Sequence, residues 1–302
     1  MPYRIQANES VQEALARIAA EQLDRAEAEL EDPRLDLHAT VHQVRKRCKK
    51  VRGLLRLVRP ALTDGVYRRE NDALRDAARL LSDLRDAEVL RRTVEDLLEE
   101  DAAALDRRAF DPVVRLLRER RDAAAGAADA DGRMDAFATA LHAVRGRCEG
   151  WTLEEEGWRA LEGGLRKTCR RGRKAMKKAY DDPDPERFHD WRKRAKYGMY
   201  HLRLLRDVWR GPLEAWEEAQ HLLSDFLGDD HDLAVLDHRI RNEPEVFGPP
   251  AVRETLRGLA AARGDLLRER ARTLGARLYA DTPGTYARRL GACFEAWRAE
   301  GG

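Results

Sequence analysis

One amphipathic pattern occurs twice in this chain, and the repetition limits the folds open to it. The first copy is His42-Gln43-Val44-Arg45-Lys46-Arg47-Cys48-Lys49-Lys50-Val51-Arg52, continuing through Arg56. Eight basic side chains lie between Arg45 and Arg59, and no acid interrupts the run from Leu37 to Thr63. At about 100° per residue, His42, Arg45, Lys46, Lys49, Arg52 and Arg56 share roughly 120° of one helix face. Val41, Val44, Cys48, Val51, Leu54, Leu55 and Val58 take the other side. The stretch is therefore a helix with an apolar back and a cationic front. At an offset of 147 residues, His189, Arg192, Lys193, Lys196 and Arg203 repeat His42, Arg45, Lys46, Lys49 and Arg56.

A second echo follows each copy. Leu81-Ser82-Asp83-Leu84-Arg85-Asp86-Ala87-Glu88-Val89-Leu90 corresponds to Leu227-Gly228-Asp229-Asp230-His231-Asp232-Leu233-Ala234-Val235-Leu236, at an offset of 146. Two matches at nearly one offset indicate duplication, with a period far above the roughly 20–50 residues of a solenoid. Ala, Leu, Arg and Glu dominate, which favours helix, and no run alternates as a strand would. The expected fold is all-α. Two pseudo-symmetric, antiparallel, four-helix-like bundles, residues 1–150 and 151–302, would flank one shared basic cleft.

Along the chain, Asn8 or Ser10 is a cap for a first helix to about Leu30, and Asp36 caps the basic helix, which Pro60 ends. A third helix runs from Thr63 or Asp64 to about Leu84, and another starts at Asp86. Ala123–Gly132, rich in Ala, Asp and Gly, is expected to be a loop or loosened helix end. His142-Ala143-Val144-Arg145 is a truncated third copy, because Gly146 and Glu149 stand where bases should. The second half opens with a helix carrying Arg166, Arg170, Arg173, Lys174 and Lys177 on roughly a 100° arc. The first half has Ala19, Leu23, Ala26 and Leu30 at four of those positions, so the second half is the more basic. Asp184-Pro185 caps the helix of His189. Gly228 is expected to end the next helix, with a new one capped by Asp229, Asp230 or Asp232.

The formal net charge of +2 conceals this segregation. Acids gather in 64–101 and 214–245 and bases in 42–59 and 166–206, which points to a polyanionic partner. Charged residues make up 37% of the 302-residue chain, yet a 43% hydrophobic share still allows a core. Cys48, Cys148, Cys169 and Cys293 lack Cys-x-x-Cys spacing, which suits free thiols in a reducing cytoplasm. Met1–Ser10 has no apolar core of a signal peptide, and no run approaches the roughly 20 apolar residues of a membrane span.

The basic faces suit a chain of phosphates. Like charges three and four apart cost roughly 0.2–0.5 kcal/mol per pair, and a merely solvated helix intersperses acids. Arg offers forked donors to phosphate oxygens and Lys a movable charge. From His42 to Arg56 the helix advances about 21 Å, so the expected ligand is a linear array of charges. His42 and His189 would donate a hydrogen bond to it or fix the first helical turn, since no nucleophile stands nearby to make them catalytic. Asp83, Asp86, Glu88, Asp229, Asp230 and Asp232 are expected to cap helices and pair with bases. A metal-dependent polyphosphatase or triphosphatase using them is the alternative of another class. His231 and His238 are spaced i, i+7, not i, i+4, which speaks against zinc. Aromatics are 6%, which leaves few stacking platforms for nucleic acid, so DNA or RNA is expected only as a weaker competing polyanion, and a general nucleic-acid-binding protein is the third reading.

The duplicated His-x-x-Arg-Lys-x-x-Lys helices, His42/Arg45/Lys46/Lys49 and His189/Arg192/Lys193/Lys196, and the Val-Leu-ended acidic segments resemble the CHAD family, the conserved-histidine α-helical domain. The resemblance spans nearly the whole chain. It implies a two-bundle helical fold that binds inorganic polyphosphate through a basic central surface, with no established catalytic activity, cofactor or metal. It also implies association with cytoplasmic polyphosphate granules. The chain departs from the pattern at Leu233-Ala234, where no acid matches Glu88. The residues expected to bind are His42, Arg45, Lys46, Lys49, Arg52, Arg56, Arg166, Arg170, Arg173, Lys177, His189, Arg192, Lys193, Lys196 and Arg203.

Overall fold

The structure, a computed structural model, describes residues 3–101 and 105–300, so the expected domain limits at Met1 and Gly302 fall outside it. Among the described residues it is all-α, with eleven α-helices, four short 3-10 turns and no strand beyond an isolated bridge between Leu62 and Leu153. Ser10 forms a capping box with Glu13 at the start of α1 (Val11–Leu30). Asp36 accepts the Ala39 N–H at 2.7 Å and opens α2 (Leu37–Val58). Then come α3 (Val66–Leu80), α4 (Ser82–Glu100), α5 (Asp111–Ala130) and α6 (Arg133–Arg147). The second half has α7 (Gly157–Asp181), α8 (Pro185–Leu204, capped by Asp184), α9 (Arg210–Asn242), α10 (Pro250–Leu278) and α11 (Pro283–Glu300).

Two expected boundaries are overturned. The Ala-rich stretch from Ala123 does not loosen: α5 continues to Ala130, with Ala128 fully buried and Ala124 and Ala125 against the core. The turn comes at Gly132, whose φ of 60° is left-handed. Nor does Gly228 end a helix. It is buried inside the unbroken α9, where its bare backbone lies under the Arg192 guanidinium. A glycine in that place is carried through the middle of the helix, which a sequence cannot distinguish from a helix stop.

The order of elements repeats: α1, α2, α3 with α4, α5 and α6 are matched by α7, α8, α9, α10 and α11. In the first half α1, α2, α3 and α6 pack around one another, while α4 pairs with α5 and leans on α9. In the second, α7, α8, α9 and α10 pack in succession and α11 lies on α7. The apolar clusters cross residue 150. The largest joins α1, α2, α3 and α6 to Leu161 and Leu165 of α7, Met199–Leu204 of α8 and Phe294 of α11. Another joins Val94 and Leu97 to Leu236 and Leu256. A third gathers Phe188, Trp191, Leu223 and Ala271. Burying such side chains is worth about 1.5–3 kcal/mol each, so the halves are held together by the same cores that hold each of them.

Candidate anion-binding groove

The two copies of the basic helix meet. Gly53 of α2 admits Tyr200 of α8, since a Cβ there would lie 3.0 Å from the Tyr200 Cβ. The buried His201 Nε2 reaches the Gly53 carbonyl at 3.1 Å. Burial holds the His201 pKa down to about 3, so the ring is neutral and donates this bond. Farther along, Gly164 of α7 lets its backbone lie on the last turn of α2, because any Cβ would sit 1.7 Å from the Leu57 carbonyl oxygen. The second crossing requires glycine, a side chain at the first would press on Tyr200, and together they hold α2 against α7 and α8.

Around the first crossing the cations of both copies converge. Burial, then Arg45, Arg192, Lys196 and Arg85, pull the Lys49 pKa down to about 7. Lys49 nonetheless keeps contact with solvent. Crowding and accessibility coexist in this way on the wall of an open groove. Burial also lowers Lys196, Asp225 opposes that, and Arg192, Arg203 and Lys46 add to it. The His42 pKa falls to about 4 through burial and then Arg85, Lys46, Lys49 and Arg92. A cleft of about 340 Å³ opens beside these groups, lined by Arg85, Arg92, Arg192, Lys196, Asp225, Asp229 and Asp232 among others.

Partners divide the expected binding residues into two sets. Lys46, Lys49, Arg170, Arg192 and Lys196 form no hydrogen bond or ion pair among the described residues. His42 likewise has no hydrogen bond or ion pair among the described residues, and the others are held by neighbours. Arg45 donates to the Ala78 carbonyl and, at 3.4 Å, to Ser82 Oγ. Arg52 and Arg56 share Asn71 Oδ1 at 3.2 and 3.3 Å. Arg203 binds Glu217 and Lys193 binds Asp190, each at 2.5 Å. His189 stacks on His231, with ring centroids 3.9 Å apart and planes tilted by 34°. On α7, Arg166 approaches Glu162 at 3.9 Å, Arg173 donates to the Asp281 carbonyl, Lys177 binds Asp181 at 2.5 Å and Arg170 is exposed. Arg145 and Arg147 of the truncated third copy pair with Asp24 and Glu70.

Several basic groups of the groove escaped the sequence reading. Arg85 and Arg92 sit in a segment judged by its acids, although Arg85 occupies the place of His231 in the repeat. The α7 residues brought toward α2 and α8 are Lys167 and Arg171, beside the expected arc. They line a recess with Arg56, Arg59, Arg194 and Tyr197. There Arg56 lies 4.2 Å from the Tyr197 ring centroid and Arg59 lies 4.3 Å from that of Tyr67. The basic side chains from Lys49 through Arg52 and Arg56 to Arg59 follow one stripe of α2 over about 15 Å. Its far end, Arg56 and Arg59, lines the recess. The signal for it was present in the three-and-four spacing of those residues.

Among the described residues, no three His, Cys, Asp or Glu side chains are grouped to hold a metal ion, and no helix is long and apolar enough to cross a membrane. Cys48, Cys148 and Cys169 are buried free thiols and Cys293 is a partly buried one.

The fold defines a class: an all-helical domain in which two copies of one basic helix meet. The chain belongs to the CHAD-domain family, whose model matches residues 17–241. Its fold is similar to the crystal structure of the CHAD domain from the plant Ricinus communis. The two share 19% identity with a TM-score of 0.62, over 87% of this chain and 89% of that one. It is also similar to PptA from Streptomyces chartreusis, with 15% identity and a TM-score of 0.57, over 90% and 98% of the respective chains. No curated protein matches the chain.

Proposed function

We propose that this chain binds inorganic polyphosphate along the groove between α2 and α8 and retains it without cleaving it. One observation carries the reading. Lys46, Lys49, Arg192 and Lys196, from two distant parts of the sequence, converge without forming an ion pair, although Asp225 and Asp232 lie near, so like charges are held close at a cost in stability that a bound polyanion relieves. The basic stripe of α2 extends this cluster toward Lys167, Arg171 and Arg194, which suits a long, thin chain better than a single anion. Membership of the family supports the same ligand. Association with polyphosphate granules in the cytoplasm follows from it.

The test is a titration with polyphosphates of several lengths, with duplex DNA and RNA as competitors. Long polyphosphate should win against DNA of equal total charge and stay uncleaved in Mg²⁺ or Mn²⁺. A preference for DNA would sink the assignment. Metal-dependent phosphate release that disappears in Asp86→Ala or Asp232→Ala would make the protein a phosphatase.

A further inference from the structure

The cleft that collects cations also holds carboxylates that the cations do not bond. Asp232 of α9 feels Arg192 of α8, Arg85 of α4 and Lys49 of α2, and across from them Asp86 of α4. Asp229 feels Asp232 and Asp225 on its own helix, Arg263 of α10 and Arg192. Neither acid forms a hydrogen bond or ion pair among the described residues. Asp230, between them in sequence, shows what a structural acid does here: it is buried and accepts from Arg268 Nε at 2.7 Å. A second observation marks the cleft as a place for a ligand. Ser224 is 2% exposed, its Oγ has no partner, and it lines the same space.

An acid that served the cations would close to charge-assisted hydrogen-bond range. These two stay apart, so their charge acts through space on whatever occupies the cleft. The cations facing them are Lys49, Arg85, Arg92, Arg192, Lys196 and Arg263. The other acids are Asp86, Asp96, Glu100 and Asp225. A bare polyanion gains from the first set and is opposed by the second together with Asp229 and Asp232.

We propose that Asp229 and Asp232 are selectivity elements of the cleft: they oppose a bare polyanion, and a phosphate chain is held there together with protons taken from solvent onto their carboxylate oxygens. The inference rests on the phosphate-binding reading above. The protonation is within reach, since burial and then the neighbouring Asp232 and Asp225 already raise the Asp229 pKa to about 6, and burial raises Asp232.

The test is calorimetric titration of long polyphosphate into the full chain and its Asp229→Asn/Asp232→Asn variant. It is run at pH 5.5 and 7.5, in two buffers of different ionisation enthalpy, without and then with Mg²⁺. At pH 7.5 and low salt the variant should bind on the order of tenfold more tightly, with the advantage shrinking as salt rises. At pH 5.5 the two proteins should converge, and at pH 7.5 the wild type should take up more protons on binding than the variant. Equal or weaker binding by the variant at pH 7.5 would show that the acids orient the cations, and would overturn the proposal. So would Mg²⁺ that tightens the wild type alone, because a metal ion would then stand where the proton is placed. A wild-type chain that binds no polyphosphate at either pH removes the phosphate-binding reading itself.

Discussion

Arg45 and Arg192 occupy the same place in the repeat and do different work. In the first copy the helix following α2 breaks at Leu81, between α3 and α4. The break leaves the Ala78 carbonyl without its helical donor, and Arg45 supplies one while also reaching Ser82. In the second copy α9 runs through the equivalent Leu227. No carbonyl is freed, Gly228 replaces Ser82, and Arg192 lies over the bare backbone with no hydrogen bond or ion pair. A second matched pair diverges likewise. His42 lies near the charged Arg85, whereas His189 stacks on His231. Duplication thus supplied two cationic helices. The helix break beside the first copy gives one arginine a carbonyl to clamp, and the unbroken helix beside the second leaves the other without one.

The largest effect should come from the available side. Arg192→Ala with Lys196→Ala should weaken binding of long polyphosphate on the order of 100-fold at low salt and reduce the salt slope by about two. The urea midpoint should stay or rise, since two crowded charges are gone. Arg166→Ala with Lys177→Ala, on the outer side of α7, should do much less. If both double variants lost affinity equally, the ligand would lie over the outside of α7 and not between α2 and α8.

Arg45→Ala should show the opposite balance. Leaving the Ala78 carbonyl unpaired in a partly buried place costs about 1–3 kcal/mol, so the urea midpoint should fall, with a smaller loss of affinity than Arg192→Ala. An unchanged midpoint would erase the distinction between the two arginines.

The histidine pairs differ in their response to acid. An unfolded histidine titrates near 6.5. Burial, followed by Lys193 and Arg192, keeps His189 at about 4, and burial and then His189 keep His231 at about 3. Below pH 6.5 the unfolded chain therefore binds protons that the folded pair refuses. The stability is complete above pH 6.5 and is lost as pH falls toward 4 and below. His231→Phe retains a ring against His189 and removes one titrating group. Urea unfolding from pH 7 to 4 should then show a shallower loss than in the wild type. His42→Asn should relieve less, because its partner Arg85 does not titrate there. A wild-type slope in His231→Phe would move the acid sensitivity to another group, with His201 the first to examine.

Much of the fold was legible because helix starts are local. Ser10, Asp36 and Asp184 each cap the helix assigned to them, and the repeat offsets identified the two helices that meet. Which side of α7 faces its neighbours was not legible. Arg166, Arg170, Arg173 and Lys177 make the more continuous basic arc, but Gly164 turns the adjacent side, with Lys167 and Arg171, toward α2. The contribution of α4 was hidden by the acids around Arg85 and Arg92, since a charge count over a segment does not register which face each side chain takes. The continuity of α9 was misread for a related reason: glycine stops a helix at an exposed end and is carried through inside a buried one, and burial is settled by the rest of the fold.

The smallest effect tests the difference at its source, by exchanging the character of Ser82 and Gly228. Gly228 sits inside a helix, where glycine is about 1 kcal/mol less favourable than alanine. A Cβ there would stand 3.4 Å from Arg192 Nε, an ordinary contact that the guanidinium accommodates. Gly228→Ala should therefore raise stability by about 0.5–1 kcal/mol, from reduced freedom of the unfolded chain, and leave polyphosphate affinity within about twofold. At the matched position Ser82→Gly has the reverse sign. It removes the 3.4 Å partner of Arg45 and adds backbone freedom just after the break, so stability should fall by about 0.5–1 kcal/mol. Paired urea titrations measure both. A change of the same sign at the two positions would mean that helix propensity alone governs them and that the Arg45 clamp contributes nothing. A loss of stability in Gly228→Ala would mean that Arg192 is fixed in place over α9, and the second copy would then hold a clamp of its own.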